Sequence, residues 1–145
     1  MFRAVAIALA GFVLVGCSTS TKLSNPFKGD DTQKTQLAAF AAQSQYPTKQ
    51  AADDLKVAAL VNTDDGTIKL INTTSQALTD TKLWVNGAYV THVDTIPAQA
   101  TVTIKRENLY NHDGIPFTKA NVAVSKVQLE QGDKFYNLQG PAFER

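Results

Sequence analysis

The residues of this chain that could do covalent or ligand chemistry are few and widely spaced. There is one cysteine, Cys17, directly after an apolar run, Ala4–Val15, that only Gly11 interrupts. His92 and His112 are the only histidines, and neither stands in a His-x-His or Glu-x-x-His pattern. Neither therefore has a second metal ligand at the spacing that would bring both onto one face. His112 precedes Asp113, a pairing suited to acid–base work, yet no Gly-x-Ser-x-Gly elbow or Ser-x-x-Lys supplies a nucleophile. Asp113-Gly114 and Asp64-Asp65-Gly66 fit turn chemistry, where Asp bonds its own backbone and Gly accepts positive φ. There is no Gly-rich phosphate loop. The expectation is a non-enzymatic protein with no catalytic residue, metal or cofactor.

Cys17 is different. Met1-Phe2-Arg3 supplies a positive start, and Ala4–Val15 is too short for the about 20 residues of a membrane-spanning helix. Its length fits the h-region of a secretory signal. The run ends in Leu14-Val15-Gly16-Cys17, and the polar Ser18-Thr19-Ser20-Thr21 comes directly after it. The tetrapeptide ending in Cys17 resembles the lipobox of bacterial lipoproteins, in which an aliphatic residue and two small ones precede an invariant Cys. The resemblance implies that residues 1–16 are a signal peptide, cut between Gly16 and Cys17. It also implies a diacylated Cys17 thiol and a further acyl chain, such as palmitate, on the new amine. A thiolate is the nucleophile such a transfer needs. Ser18, rather than Asp, after the cysteine implies passage to the outer membrane, facing the periplasm, in a host with two membranes. The competing readings of these residues are a buried cysteine closing an apolar core helix and an ordinary secretory signal.

Charge agrees with a lipid anchor. Lys+Arg number 14 and Asp+Glu 13, a net charge of +1, which excludes a basic nucleic-acid binder and a highly charged disordered chain. Removal of residues 1–16 takes away Arg3 alone among the charged side chains, leaving the two signs balanced. No polybasic patch would then hold the protein to a bilayer. Acyl chains would have to do so, at about 0.8 kcal/mol per buried methylene. A single cysteine also excludes a disulfide framework within the chain.

Residues 17–55 read as the lipidated cysteine and a tether, with a short helix over Thr32–Gln45. Asp31 would cap it, Leu37, Phe40, Ala41 and Ser44 would share a face, and Pro47 would stop it. From Lys56 the texture changes to short runs of Val, Ile, Thr, Leu and Tyr between turn residues. These runs are Lys56–Val61, Thr67–Asn72, Lys82–Val85, Ala88–Val93, Thr101–Lys105, Asn121–Leu129 and Lys134–Leu138. They predict an all-β domain over residues 56–140, an immunoglobulin-like β-sandwich of about seven strands, with residues 141–145 as a tail. A small closed barrel is the rival architecture.

Asn86-Gly87 is a strong hairpin signal, because both central residues of a type I′ turn have positive φ. A two-residue turn there would pair Trp84 with Tyr89 on one face and bury Leu83, Val85, Ala88 and Val90 on the other. The aromatic pair would stiffen the hairpin or offer a stacking surface for a glycan or a partner strand. The longest connection in the β region runs past Tyr110, His112 and Phe117, and loops on rigid scaffolds are where binding residues collect. Its competing role is to plug one end of the sandwich with Ile115 and Phe117. The candidate binding residues are thus Tyr110, His112, Phe117, Trp84 and Tyr89. The reading that best fits them is a lipid-anchored envelope protein that contacts a partner protein. The alternative is a glycan or small-ligand binder, or an enzyme, with its site near residues 110–117.

Overall fold

Alternating apolar and polar residues after Lys56 produce strands whose inward side chains can meet only if two sheets face each other. The computed structural model of the chain describes residues 30–144, and side chains over 31–138. Eight strands follow one helix: α1 (Asp30–Gln43), β1 (Val57–Asn62), β2 (Thr67–Asn72), β3 (Leu78–Val85), β4 (Tyr89–Ile96), β5 (Thr101–Lys105), β6 (Val127–Gln131), β7 (Lys134–Asn137) and β8 (Gln139–Glu144). They form two four-stranded sheets, ordered β5-β2-β1-β8 and β4-β3-β6-β7. The fold is a β-sandwich. The lipobox, the signal segment and Cys17 lie outside the described residues.

The core between the sheets is aliphatic. Val57, Ala59 and Val61 of β1, with Ile68 and Leu70 of β2, face Leu83 and Val85 of β3, Val93 of β4 and Val127 and Leu129 of β6. Neighbouring strands pair antiparallel except β8, which runs parallel to β1. That strand is a correction to the expected tail, because pairing begins at Gln139. Its sequence, Gln-Gly-Pro-Ala-Phe-Glu, carries a proline and a glycine that depress strand propensity, whereas an edge position tolerates both.

The hairpin register differs from the expected one. Val85 pairs with Tyr89, Trp84 with Val90 and Leu83 with Thr91. Asn86 and Gly87 do turn with φ of 55° and 70°, and the Ala88 amide donates to the Val85 carbonyl at 3.2 Å. Ala88 is then an extra residue, so that two residues oppose Val85 and the strand after it shifts by one. The cause is Asn86, which continues the ladder with β6: its amide donates to Lys126 O at 2.9 Å. Its side-chain oxygen accepts the amides of Ser125 and Lys126 at 2.8 and 3.1 Å, and its Nδ2 donates to Ala123 O at 2.7 Å. A one-residue slip reverses every side chain of β4. Trp84 and Tyr89 therefore lie on opposite faces: Tyr89 packs edge-on to Phe117 at 4.9 Å, on the core side.

The face of β4-β3-β6-β7 turned away from the sandwich is also covered. Leu37, Ala38, Phe40 and Ala41 of α1, with Tyr46 and Ala51, pack on Trp84, Val90, Tyr110 and Phe135. The helical face is the expected one, although α1 starts at Asp30, which puts Asp31 inside the helix rather than at its cap. The stretch expected to be tether is thus, over residues 30–55, a third layer. A polar chain fastens it: Tyr46 Oη donates to Gln128 at 2.5 Å, Gln128 to Asn137 at 2.7 Å, and Asn137 to Asp53 at 2.8 Å.

Two stability measurements test this register. Leu83→Ala should cost about 2–5 kcal/mol in denaturant unfolding, as a fully buried leucine in a core that cannot collapse onto the gap. A double-mutant cycle should give about 0.5–1.5 kcal/mol of coupling for Tyr89 with Phe117, and none for Trp84 with Tyr89. Coupling between Trp84 and Tyr89 would restore the two-residue turn.

Candidate functional site

The sequence candidates separate into two buried groups and one exposed group. Phe117 is 1% exposed, in the core, with the Arg106 guanidinium 4.8 Å above its ring centre. Its amide donates to Leu109 O at 2.8 Å, which closes the connection between β5 and β6 against the sandwich. Tyr110 is 5% exposed and exchanges backbone hydrogen bonds with Val90, of 2.9 and 3.2 Å. Tyr110 and Phe117 thus spend their apolar area beneath α1 and between the sheets, whereas half-buried Tyr89 packs on Phe117 and keeps part of its surface open.

His112 is the exposed member. It projects from a tight turn in which the Asn111 side-chain oxygen accepts the amides of Asp113 and Ile115 at 3.1 and 2.8 Å. Gly114 sits there at φ 73°, and a Cβ on it would stand 3.6 Å from that of Ala38 in α1. This turn, the end of α1 and the β3–β4 turn enclose an open groove of about 410 Å³. The groove brings His112 and Asp113 together with Trp84 and adds Tyr46, Ser44 and Gln45, which sequence reasoning missed. Ser44 and Gln45 fell in the expected helix, Ser44 on its apolar face, and Tyr46 lay between that helix and Pro47, so nothing in the pattern marked them as groove residues.

The aromatic floor of this groove is largely committed to packing. Trp84 is 3% exposed, its indole N–H donates to Glu130 at 2.9 Å, and Glu130 also takes the Lys82 ammonium at 3.4 Å. Tyr46 stands edge-on to Trp84 at 5.4 Å and to Phe135 at 5.5 Å, and its ring lies 3.4 Å from the Cβ position of Gly87. Over this mainly apolar floor the groove adds a few polar groups: the His112 imidazole, the Asp113 carboxylate, the Ser44 hydroxyl and the Gln45 amide. Such groups can exchange hydrogen bonds and carry charge to a partner surface.

His92 occupies a separate place on the outer face of β4. Its Nε2 lies 2.8 Å from Asp94 and its Nδ1 3.7 Å from Asp80, while Phe40 of α1 packs edge-on at 5.7 Å. Among the described residues no group of three or more His, Cys, Asp or Glu is arranged to hold a metal ion. Nor is any described helix long and apolar enough to cross a membrane. Comparison with protein-family models, curated proteins and solved structures returned no match.

The division between packing and exposed residues has a direct test. Phe117→Ala should cost about 3–5 kcal/mol of stability, whereas His112→Ala should change it by less than about 0.5 kcal/mol. Equal losses in thermal or denaturant unfolding would put His112 in the packed layer.

Proposed function

We propose that this chain is a lipid-anchored protein of the bacterial cell envelope, held to the outer membrane and facing the periplasm. On this reading it works without a cofactor, as a non-enzymatic module that contacts another envelope protein. The observation that carries the reading is Leu14-Val15-Gly16-Cys17 after the apolar run Ala4–Val15, with Cys17 the only cysteine. The near balance of acidic and basic side chains supports acyl chains, rather than surface charge, as the anchor. The distribution of polar groups supports contact rather than catalysis. Gln128 and Asn137 are consumed in fastening the N-terminal layer to its sheet, Glu130 is taken by Trp84 and Lys82, and the exposed polar groups of the groove are a short set that includes His112 and Asp113 of a tight turn.

The sandwich is best taken as immunoglobulin-like. In support, β1, β2, β5 and β8 share one sheet while β3, β4, β6 and β7 share the other, so the chain changes sheet after β2, β4, β5 and β7. On such a scaffold the groove beside residues 111–113 is the surface offered to the partner. A second reading, a glycan or small ligand in the same groove, is favoured by one feature: His112 and Asp113 converge there beside an aromatic floor.

Two experiments test the proposal. Metabolic labelling with a fatty acid should mark the wild-type chain, and Cys17→Ser should abolish the label and leave an uncleaved precursor. Label retained by Cys17→Ser, or never acquired by the wild type, removes the lipid anchor. For the contact surface, the double variant His112→Ala, Asp113→Ala should keep its melting temperature and lose at least about half of its envelope crosslinks, as polar interface truncations commonly weaken binding. Undiminished crosslinks would move the contact surface away from the groove.

A further inference from the structure

Two of the four sheet edges are closed by the chain itself. Tyr110 exchanges two backbone hydrogen bonds with Val90 and so blocks that edge of β4. Ala52 lies parallel to β7, donating to Phe135 O at 2.9 Å and accepting from the Asn137 amide at 2.8 Å. The third edge, β8, contains Pro141, which has no amide to donate. An open edge templates pairing with another strand, which is why folded chains blunt their edges in these ways.

The β5 edge is the exception. Asn72 N–H bonds Ala100 O at 2.9 Å and Arg106 N–H bonds Gly66 O at 2.8 Å, which bracket the β2–β5 ladder in one register. Antiparallel alternation then turns the amides and carbonyls of Val102 and Ile104 toward β2, and those of Thr101, Thr103 and Lys105 outward. Among the described residues, none hydrogen-bonds to those outward backbone groups. The inward side chains Val102 and Ile104 pack on the core yet stay only half-buried, because the sandwich is open on that side.

We propose that β5 pairs antiparallel with β5 of a second copy of this chain, joining the two β5-β2-β1-β8 sheets into one. The strand is self-complementary. A two-fold axis through Thr103 is the one placement that pairs all of Thr101–Lys105. It sets Thr103 opposite Thr103, Thr101 opposite Lys105, and Val102 opposite Ile104. The aliphatic pair completes burial that one copy leaves half done. The only charge on the strand, Lys105, meets a threonine rather than its like, so no repulsion opposes the register. Thr101, Thr103 and Lys105 are the residues whose outward groups would exchange hydrogen bonds across the axis, continuing the sheet without a break. This pairing uses neither the groove nor Cys17, and it stands apart from the lipid-anchor reading.

The test is site-specific crosslinking of the full chain, with the unsubstituted chain, carrying Cys17 alone, as background. Thr103→Cys should give a linked dimer under mild oxidation or with a short bis-maleimide, since directly opposed residues have Cα atoms about 5.5 Å apart. Thr101→Cys should give about tenfold less, because its two copies would stand about 13 Å apart. The pair Thr101→Cys, Lys105→Cys should link again, and adding Thr103→Pro should abolish that link. The Thr103 amide faces away from β2, so proline there leaves the internal ladder intact, and the β-type circular dichroism should persist. If Thr103→Pro prevents folding, the first two variants decide the matter. No dimer from Thr103→Cys, equal linking at Thr101→Cys, or a product containing a different protein would each overturn the proposal. So would a folded Thr103→Pro variant that still crosslinks.

Discussion

The amide, carboxamide oxygen and Nδ2 of Asn86 are all occupied by Ala123, Ser125 and Lys126, which ties the β3–β4 turn to the approach to β6. This knot holds the turn against β6 and leaves Ala88 as the residue that must bulge. The consequence runs through the whole hairpin. With Ala88 bulged, Tyr89 and Thr91 turn toward the sandwich and Val90 turns out, level with Trp84. Without the shift, Val90 would leave the outer face and Tyr89 would stand exposed beside Trp84. The apolar floor on which α1 rests, and the groove at its end, therefore depend on one asparagine. Removing its side chain would hand two exposed backbone amides and a carbonyl to water and untie the turn from the approach to β6.

A sheet buried on both faces is the second constraint. β3, at its centre, places Leu83 and Val85 into the sandwich while Trp84 packs under the N-terminal layer. An apolar strand of this kind cannot be left open to water, so α1 and residues 46–51 are needed as cover. α1 is weakly apolar and short, and a helix of this length is marginal alone in water. Its stability comes from docking. The polar chain Tyr46–Gln128–Asn137–Asp53 then fixes where the segment crosses, since each carboxamide in it is committed at both ends.

Much of the fold was legible because it is written locally. Asp64-Asp65-Gly66 and strict alternation set β2 and β5 at their observed limits. The elements that were misread are decided at long range. β3 starts at Leu78 rather than Lys82, with Asp80 at φ 51°, a kink no propensity announces. Residues 121–126 have strand-like composition, yet Ala123, Ser125 and Lys126 are spent as partners of Asn86, and β6 begins only at Val127. Likewise Asn72 looks like a loop residue but is 1% exposed: its Nδ2 donates to Gln76 and Pro97 carbonyls at 2.8 and 3.0 Å, fastening two loops together. The aromatic residues of the candidate site misled for a related reason. Tyr110 and Phe117 carry the same side chains whether they meet a partner or their own sheets, and only the bridge to Val90 and the fold of the β5–β6 connection decide which.

The three-layer arrangement also determines where this molecule can meet another. Covering one sheet face with α1 removes it as a contact surface, and the segments that deliver this cover pass along the edges of the same sheet. Ala52 closes β7 on the way into β1, and Tyr110 closes β4 on the way out of β5. Protection of the β4-β3-β6-β7 sheet is thus a by-product of routing the chain. Among the described residues no such segment passes along the β5 side of the other sheet, since the chain leaves β5 at Lys105 and runs toward Val90. The β5 edge belongs to one sheet, and the groove beside His112 lies against the β3–β4 hairpin of the other. A surface built from backbone groups and one built from side chains suit different kinds of contact: the first extends a sheet, the second reads a partner's side chains.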